Sequence, residues 1–392
     1  MMKPAFFFLI PFLVDFVMAG TGIVVNFYAQ DLQASPRQLG MLGFAWGIPY
    51  MMCCIVIGRL ADRWPRRLLM AAGLALATIV VNSYQYMTSP SGLILLNVAI
   101  GAVCALFWPV FETLLHSSDK HTGNRTMGLF NIGWTLGIGG GAAIGGFLSQ
   151  WDTALGLDTL SSVTLATLGL LLFATRNGIP PLYEEKEESA PLDPDASHAA
   201  PSERATYLYL AWTANFTLWF AAGGVNALFP KLCRSLLIPD HTSGMLLALI
   251  MAGQAVSFFL IARTTAWHYR LGPMVAFQLL ATLGCVLVAS GESPTGFALA
   301  MILMGIGRGL TYSCSLYYGL AAESGKGANA GIHEMLIGVS SALGPLVSGE
   351  VAQVFGLRAP FYLCGAVGLI GVILELLIWK RVLAVRVSPD KR

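Results

Sequence analysis

The sequence predicts an all-α membrane protein, with twelve transmembrane helices arranged as two pseudo-symmetric six-helix bundles. Three observations predict it. Hydrophobic residues make up 56% of the 392 positions and charged residues only 11%, less than half the roughly 25% usual in a soluble domain. Twelve apolar runs each approach or exceed the about 20 residues that cross a bilayer core. The chain also repeats itself at an offset of 203 to 204 residues around one long polar break.

The twelve runs are 5–29, 38–58, 68–88, 92–115, 126–149, 156–175, 206–230, 242–262, 272–290, 295–319, 328–354 and 359–379. The first follows a single lysine and is longer than the apolar core of a signal peptide, so it reads as a retained span. The break at 176–204, RNGIPPLYEEKEESAPLDPDASHAAPSER, is rich in Pro, Glu, Asp and Ser. It cannot bury a core and reads as a flexible linker. The expected organisation is a first bundle over 1–175, the linker, a second bundle over 205–379 and a tail over 380–392.

Lys and Arg set the orientation, because positive loops stay in the cytoplasm. With both termini inside, eighteen basic residues fall on the cytoplasmic side; only Arg37, Lys231, Arg234 and Arg358 fall outside, and Arg308 lies within a span. The halves match at several points of one offset. GML at 40–42 recurs at 244–246, Arg59 and Arg66 recur as Arg263 and Arg270, and Gly101 recurs as Gly305. GAAIGG at 141–146 recurs as GPLVSG at 344–349. A parallel repeat of two six-span bundles is a transporter architecture, with its site between the halves near the midplane.

The densest charge lies between spans 2 and 3, in GRLADRWPRR at 58–67. Gly58, Leu60, Ala61, Asp62, Arg63, Arg66 and Arg67 resemble the signature loop of the major facilitator superfamily, with Pro65 in place of its usual second glycine. The twelve-span plan extends this resemblance over essentially the whole chain. The arginines also serve topology, but topology requires neither Gly58 nor Asp62. The resemblance implies a gate that ties the first half to span 11 when the cytoplasmic side is closed. The second-half echo, ARTTAWHYR at 262–270, keeps its arginines and has Ala266 in place of the acid.

A second pattern, in span 5, is Gly137, Gly141, Ala142, Gly145 and Gly146, with Gly344, Pro345 and Gly349 as its echo in span 11. It resembles the glycine motif that family antiporters use to pack the halves together, with Ala142 where the proline stands; generic small-residue helix packing gives the same pattern. A third motif, an arginine in span 4 of the drug–proton antiporters, is replaced by Asn97.

Ionisable residues inside spans are costly and mark functional sites by default. Asp15, Glu112, Arg308 and Glu334 qualify, and the family plan places spans 1, 4, 7 and 10 around the central cavity. Arg308 is expected to pair with Glu334 or Asp15. Trp108, Asn131, Trp134, Trp219, Asn226 and Tyr312 complete the candidate substrate or proton cavity; Gln254 is a further amide on a cavity span. Pro109, beside Trp108, is expected to break the helix and free a carbonyl. Glu350 and Glu375 are read as snorkelling from span ends.

Other classes find no support. The seven cysteines are scattered at spacings that suggest neither zinc nor disulfides. GLAAESGKG at 319–327 fails the phosphate-loop spacing, and a charge of +2 without basic–aromatic clusters gives no nucleic-acid signature. No metal, cofactor or catalytic constellation is expected. The resemblance implies a monomeric secondary transporter of the cell (plasma or inner) membrane, moving a small organic solute by alternating access. Proton-coupled efflux is the first reading, and proton-coupled uptake of a sugar or organic acid the alternative. A membrane enzyme would need a catalytic cluster, and a receptor or scaffold would bind partners without transport.

Overall fold

The computed structural model describes residues 2–61, 63–112, 114, 120–177, 201–320 and 326–387. Within a bilayer each backbone polar group must find its partner in the protein, and the described residues form helices without strands. The first half holds α1 (Met2–Asp31), α2 (Pro36–Ala61), α3 (Arg66–Ser83), α4a (Pro90–Cys104), α4b (Trp108–Glu112), α5 (Lys120–Trp151) and α6 (Thr153–Ala174). The second holds α7 (Pro201–Ser235), α8 (Asp240–Ile261), α9 (Leu271–Ser290), α10 (Pro294–Leu320), α11 (Lys326–Phe355) and α12 (Ala359–Val387). With α4a and α4b counted as one interrupted span, these are the twelve expected helices.

Local chemistry sets their ends. Ser89 caps α4a by accepting from the Gly92 amide at 3.3 Å, with Pro90 at the first helical position. Asp152 caps α6 through the Leu155 amide at 3.0 Å. The break between α4a and α4b falls where Pro109 cannot donate to the Ala105 carbonyl and its ring crowds it, as the sequence suggests. α7 begins inside the stretch read as linker, and α12 runs on to Val387 through the segment read as a tail.

Ten helices are long and apolar enough to cross a membrane; α2 and α7 fall short of that measure among the described residues. At 26 and 35 residues both have the length. α7 spends its polar groups inward, where Asn215 is fully buried and Trp219 and Asn226 reach a central cavity.

The sequence repeat reappears as repeated contacts. A Cβ on Gly101 would collide with the Trp46 carbonyl, and one on Gly305 with the Ile250 carbonyl; both partners of the second contact lie 204 residues after those of the first. Gly141 packs on the Phe16 carbonyl as Gly344 does on that of Phe220. Between the halves, Gly146 meets Gly244 and Gly40 meets Gly349, with the added Cβ 2.8–3.0 Å from the opposing Cα. Each pair is the symmetry mate of the other.

One expectation about carboxylates fails. Glu375 does not snorkel: the extension of α12 puts it mid-helix, fully buried in the second half beside Gln278, which donates to Thr217 Oγ1 at 3.0 Å. Glu350 does reach the surface, but it pairs with Arg37 of the other half at 2.7 Å.

Candidate functional site

A cavity of about 360 Å³ lies between the halves. Its walls come from α1, α2, α4a, α5, α7, α8, α10 and α11, and four of the ten candidate residues reach it: Asp15, Trp219, Asn226 and Arg308. Gly305 and Gly309 bring α10 against α8, while Gly307 brings it against α9. Arg308 stands between these contacts, 3% exposed.

Arg308 does not pair with Asp15 or Glu334. Its Nε donates to Gln254 Oε1 at 2.6 Å, its Nη2 lies 3.2 Å from Met251 Sδ, and its guanidinium sits 4.7 Å from the Trp219 ring centroid. The reason is geometric. Gln254 and Met251 lie one turn apart on α8, directly across the glycine contact, whereas Glu334 is on α11 and Asp15 is on α1 in the other half. Among the described residues Asp15 makes no hydrogen bond or ion pair. Its Cβ packs against Gly137 of α5, where an added Cβ would be 3.1 Å away.

An aromatic bridge links the halves one turn beyond Arg308, toward the face that carries both termini. Tyr312 packs against Trp134 of the first half (centroids 6.1 Å apart), Phe258 (5.8 Å) and Trp219 (6.5 Å). Asn131 accepts from Trp134 Nε1 at 3.0 Å and so orients that ring. Tyr312 also meets the buried His333 edge-on at 4.9 Å, and His333 Nδ1 shares a 2.7 Å hydrogen bond with Ser315. Close to this bridge lie Glu112 and Glu334, within electrostatic reach of Tyr312 and of each other. Glu334 is 56% exposed at its side chain. Trp108 stands apart: it packs on Phe107 and Phe130 in the first half's core and does not line the cavity. Asn97 lines it but is held by the Tyr84 hydroxyl and by the Leu42 carbonyl at 2.9 Å.

The face opposite the termini is sealed. Arg234 joins Asp31 of the first half and Asp240 of the second, each at 2.6 Å. Arg37 bridges to Glu350, Lys231 donates to the Ala34 carbonyl at 2.9 Å, and Asn26 donates to the Ala227 carbonyl at 2.9 Å. Three of the four basic residues on this face thus join the halves. Sequence reasoning counted them only as exceptions to the charge bias, though that exceptional placement was the available signal.

From this seal the halves splay. Along α2 and α11 the nearest approach for an added Cβ grows from 2.6 Å at Gly43–Pro345 to 2.9 Å at Gly47–Ala342 and 3.8 Å at Gly338–Met51. Along α5 and α8 it is 2.7 Å at Gly146–Asp240, 2.5 Å at Gly244–Ala142 and 3.2 Å at Gly139–Met251. The glycine pattern therefore divides its work. Gly137, Gly141 and Gly145 pack α5 on α1 inside the first half, and Gly344 packs α11 on α7 inside the second. Of these seven residues, Gly146, Pro345 and Gly349 cross between the halves, which corrects the expectation that the whole motif does so.

In the charged loop, Asp62 lies outside the described residues, and of Gly58 only its place near the end of α2 is described. Arg63 is exposed and Arg66 begins α3. Arg67 donates to the Leu172 carbonyl of α6 at 3.1 Å, within its own half. Among the described residues no group of three or more His, Cys, Asp or Glu is placed to hold a metal, and the seven cysteines are free.

A family model described as Major Facilitator Superfamily matches residues 7–322 and, in a second match, 211–392. The multi-drug resistance efflux pump PmrA of Streptococcus pneumoniae is 23% identical over 90% of this chain and 86% of its own length. The quinolone resistance protein NorA of Staphylococcus aureus is 22% identical over 94% of this chain and 95% of its own. Among solved structures, the nucleoside transporter NupG superposes with a TM-score of 0.75 at 13% identity, covering 97% of this chain and all of its own.

Proposed function

From its membership of the Major Facilitator Superfamily, to which this chain belongs, we propose that the protein expels a small organic solute from the cell in exchange for protons. As a member it is a multi-pass membrane transporter and not an enzyme. The proposal concerns direction, coupling and placement: efflux through the plasma or inner membrane, by a monomer whose termini and 176–204 linker face the cytoplasm. The observation that carries it is the cavity between the halves, which holds a buried cation and an acid unpaired among the described residues, behind a sealed far face. A relative named as an efflux pump, aligned over 90% of the chain, favours export over uptake.

The geometry supports alternating access. Solute enters between the splayed ends, passes the Tyr312–Trp134 bridge and reaches Arg308. The halves then close around it on the cytoplasmic side and part at the Arg234 and glycine seal. The glycine contacts suit such rocking, since backbones that touch without interlocking side chains separate at little cost in packing. Asp15, Glu112 and Glu334 are the groups offered for the returning proton, and Glu334 is the most exposed of the three.

In inside-out vesicles containing the purified protein, an outward proton gradient from an acidified lumen should drive uptake of a fluorescent efflux-pump substrate into the lumen. Collapsing the gradient with an uncoupler should stop it. Gradient-independent equilibration would remove the coupling, and uptake driven in right-side-out vesicles would reverse the direction. Asp62→Asn is expected to slow this transport severalfold with the protein still in the membrane, because the proposed gate loses its acid. Unchanged rates would remove the gate assignment.

A further inference from the structure

Among the described residues, Arg308 is a buried cation without a counter-charge. Removing an arginine from water costs several kcal/mol unless an anion and hydrogen bonds replace the lost solvent. Arg308 is 3% exposed and forms no ion pair among the described residues. What it has is one amide oxygen, a thioether and the face of an indole. The two neutral donors beside it are also short of acceptors: Gln254 Nε2 and Trp219 Nε1 are buried without a partner. The second half around Arg308 is therefore rich in donors, and among the described residues no acid of that half lines the cavity.

The first-half wall carries the complement. Asp15 lines the same cavity and has no hydrogen-bond or ion-pair partner among the described residues. The two charges stand on opposite halves and are not joined to each other, so the cavity is dipolar, negative toward α1 and positive toward α10. Its volume of about 360 Å³ equals roughly a dozen waters at about 30 Å³ each. It falls at the small end of the range for ligand sites.

We propose that the solute is dipolar: a zwitterion that places an anionic group, such as a carboxylate, on Arg308 and a protonated amine on Asp15. The body between them is apolar or aromatic, lying along Trp219 and Trp46. This inference rests on the reading of the cavity as the transport site. It also supplies a coupling device. When the amine leaves, Asp15 takes a proton in its place, so that solute and proton compete for one carboxylate and cross in opposite directions. Because the two charged ends contact different halves, the solute also draws the halves together around itself, as alternating access requires.

The test is equilibrium binding to the purified protein, read by thermal stabilisation and tryptophan fluorescence, so that it does not depend on transport. A panel is built on several aromatic skeletons with the charges at opposite ends, each offered as a zwitterion, as its amine-free monoanion and as its carboxylate-free monocation, for example 4-(aminomethyl)benzoate, 4-methylbenzoate and 4-methylbenzylamine. Binders are expected to be zwitterions, at least about tenfold tighter than either singly charged form, the scale of one charge-assisted hydrogen bond. Asp15→Asn should move the preference to the monoanions and Arg308→Gln to the monocations. A switch of preference cannot come from a protein that has merely failed to fold, and Arg308→Lys should retain part of the zwitterion preference. A panel with no binders, binders chosen without regard to the two charges, or variants that weaken all three forms alike would overturn the proposal. Zwitterion binding without proton-driven efflux would leave this inference standing and sink the efflux reading. Efflux of neutral or purely cationic solutes, indifferent to Arg308, would do the reverse.

Discussion

Gly349→Val is expected to reduce transport to background while leaving the protein folded and membrane-inserted. Gly349 faces Gly40 across the seal, and a Cβ there would lie 2.9 Å from the Gly40 Cα and 2.9 Å from the Pro36 carbonyl. Backbone atoms of two long helices cannot move aside locally. The two halves, however, relieve the clash by parting. Overpacking of this kind costs about 1–3 kcal/mol, and each 1.4 kcal/mol shifts a two-state balance about tenfold, so the population moves toward the state open at the far face. Gly305→Val is the contrast. Its Cβ would meet the Gln254 amide at 2.9 Å and the Ile250 carbonyl, inside one half, where no rigid-body motion relieves it; that variant is expected to lose folding. The measurement pairs size-exclusion behaviour with thiol labelling. With Asn226→Cys placed in the cavity of a protein lacking Cys53 and Cys54, an impermeant reagent at the far face should label Gly349→Val several times faster than its parent. Near-normal transport by Gly349→Val would show that the far-face contact is not part of the cycle.

The helices and their repeat were legible because hydropathy and glycine spacing are local properties. The offset that aligns Gly101 with Gly305 in the sequence aligns the carbonyls they press on in the structure. The partners of charges were not legible, because they depend on which helix faces are adjacent. Arg308 reads as one member of an ion pair only until α8 is known to lie against α10, where Gln254 and Met251 occupy the place a carboxylate would take. Glu375 reads as a span-end acid until α12 is seen to extend to Val387. Trp108 sits one residue before a helix-breaking proline, which drew attention to it, yet the break turns its ring into the core of its own half. At the far face the failure was of interpretation. Arg37, Lys231 and Arg234 were plain in the sequence as basic residues on the side that carries few, and three residues that resist the charge bias had a reason to be there.

Arg234→Ala should act in the same direction as Gly349→Val, by a different force. Arg234 holds Asp31 and Asp240 together, donates to the Phe27 carbonyl at 3.2 Å and lies 4.6 Å from the Phe27 ring centroid. Exposed ion pairs contribute only about 0–1 kcal/mol each. Here, however, one partly buried guanidinium serves two carboxylates, a carbonyl and a ring, and its loss also leaves Asp31 and Asp240 facing each other uncompensated. The far face should open more often and cavity thiols should label faster. Raising the salt on the wild-type protein should reproduce part of the effect, because screening weakens exposed pairs and leaves glycine contacts untouched. Asp62→Asn, at the proposed gate on the opposite face, should pull the other way by disfavouring closure there. Shifts at separated sites add when they act on one equilibrium. The double variant Asp62→Asn/Arg234→Ala is therefore expected to label closer to the wild-type rate than Arg234→Ala alone. Labelling of the double variant as fast as Arg234→Ala, or faster, would mean that the two faces do not work against each other, and the rocking of two rigid halves would have to be given up.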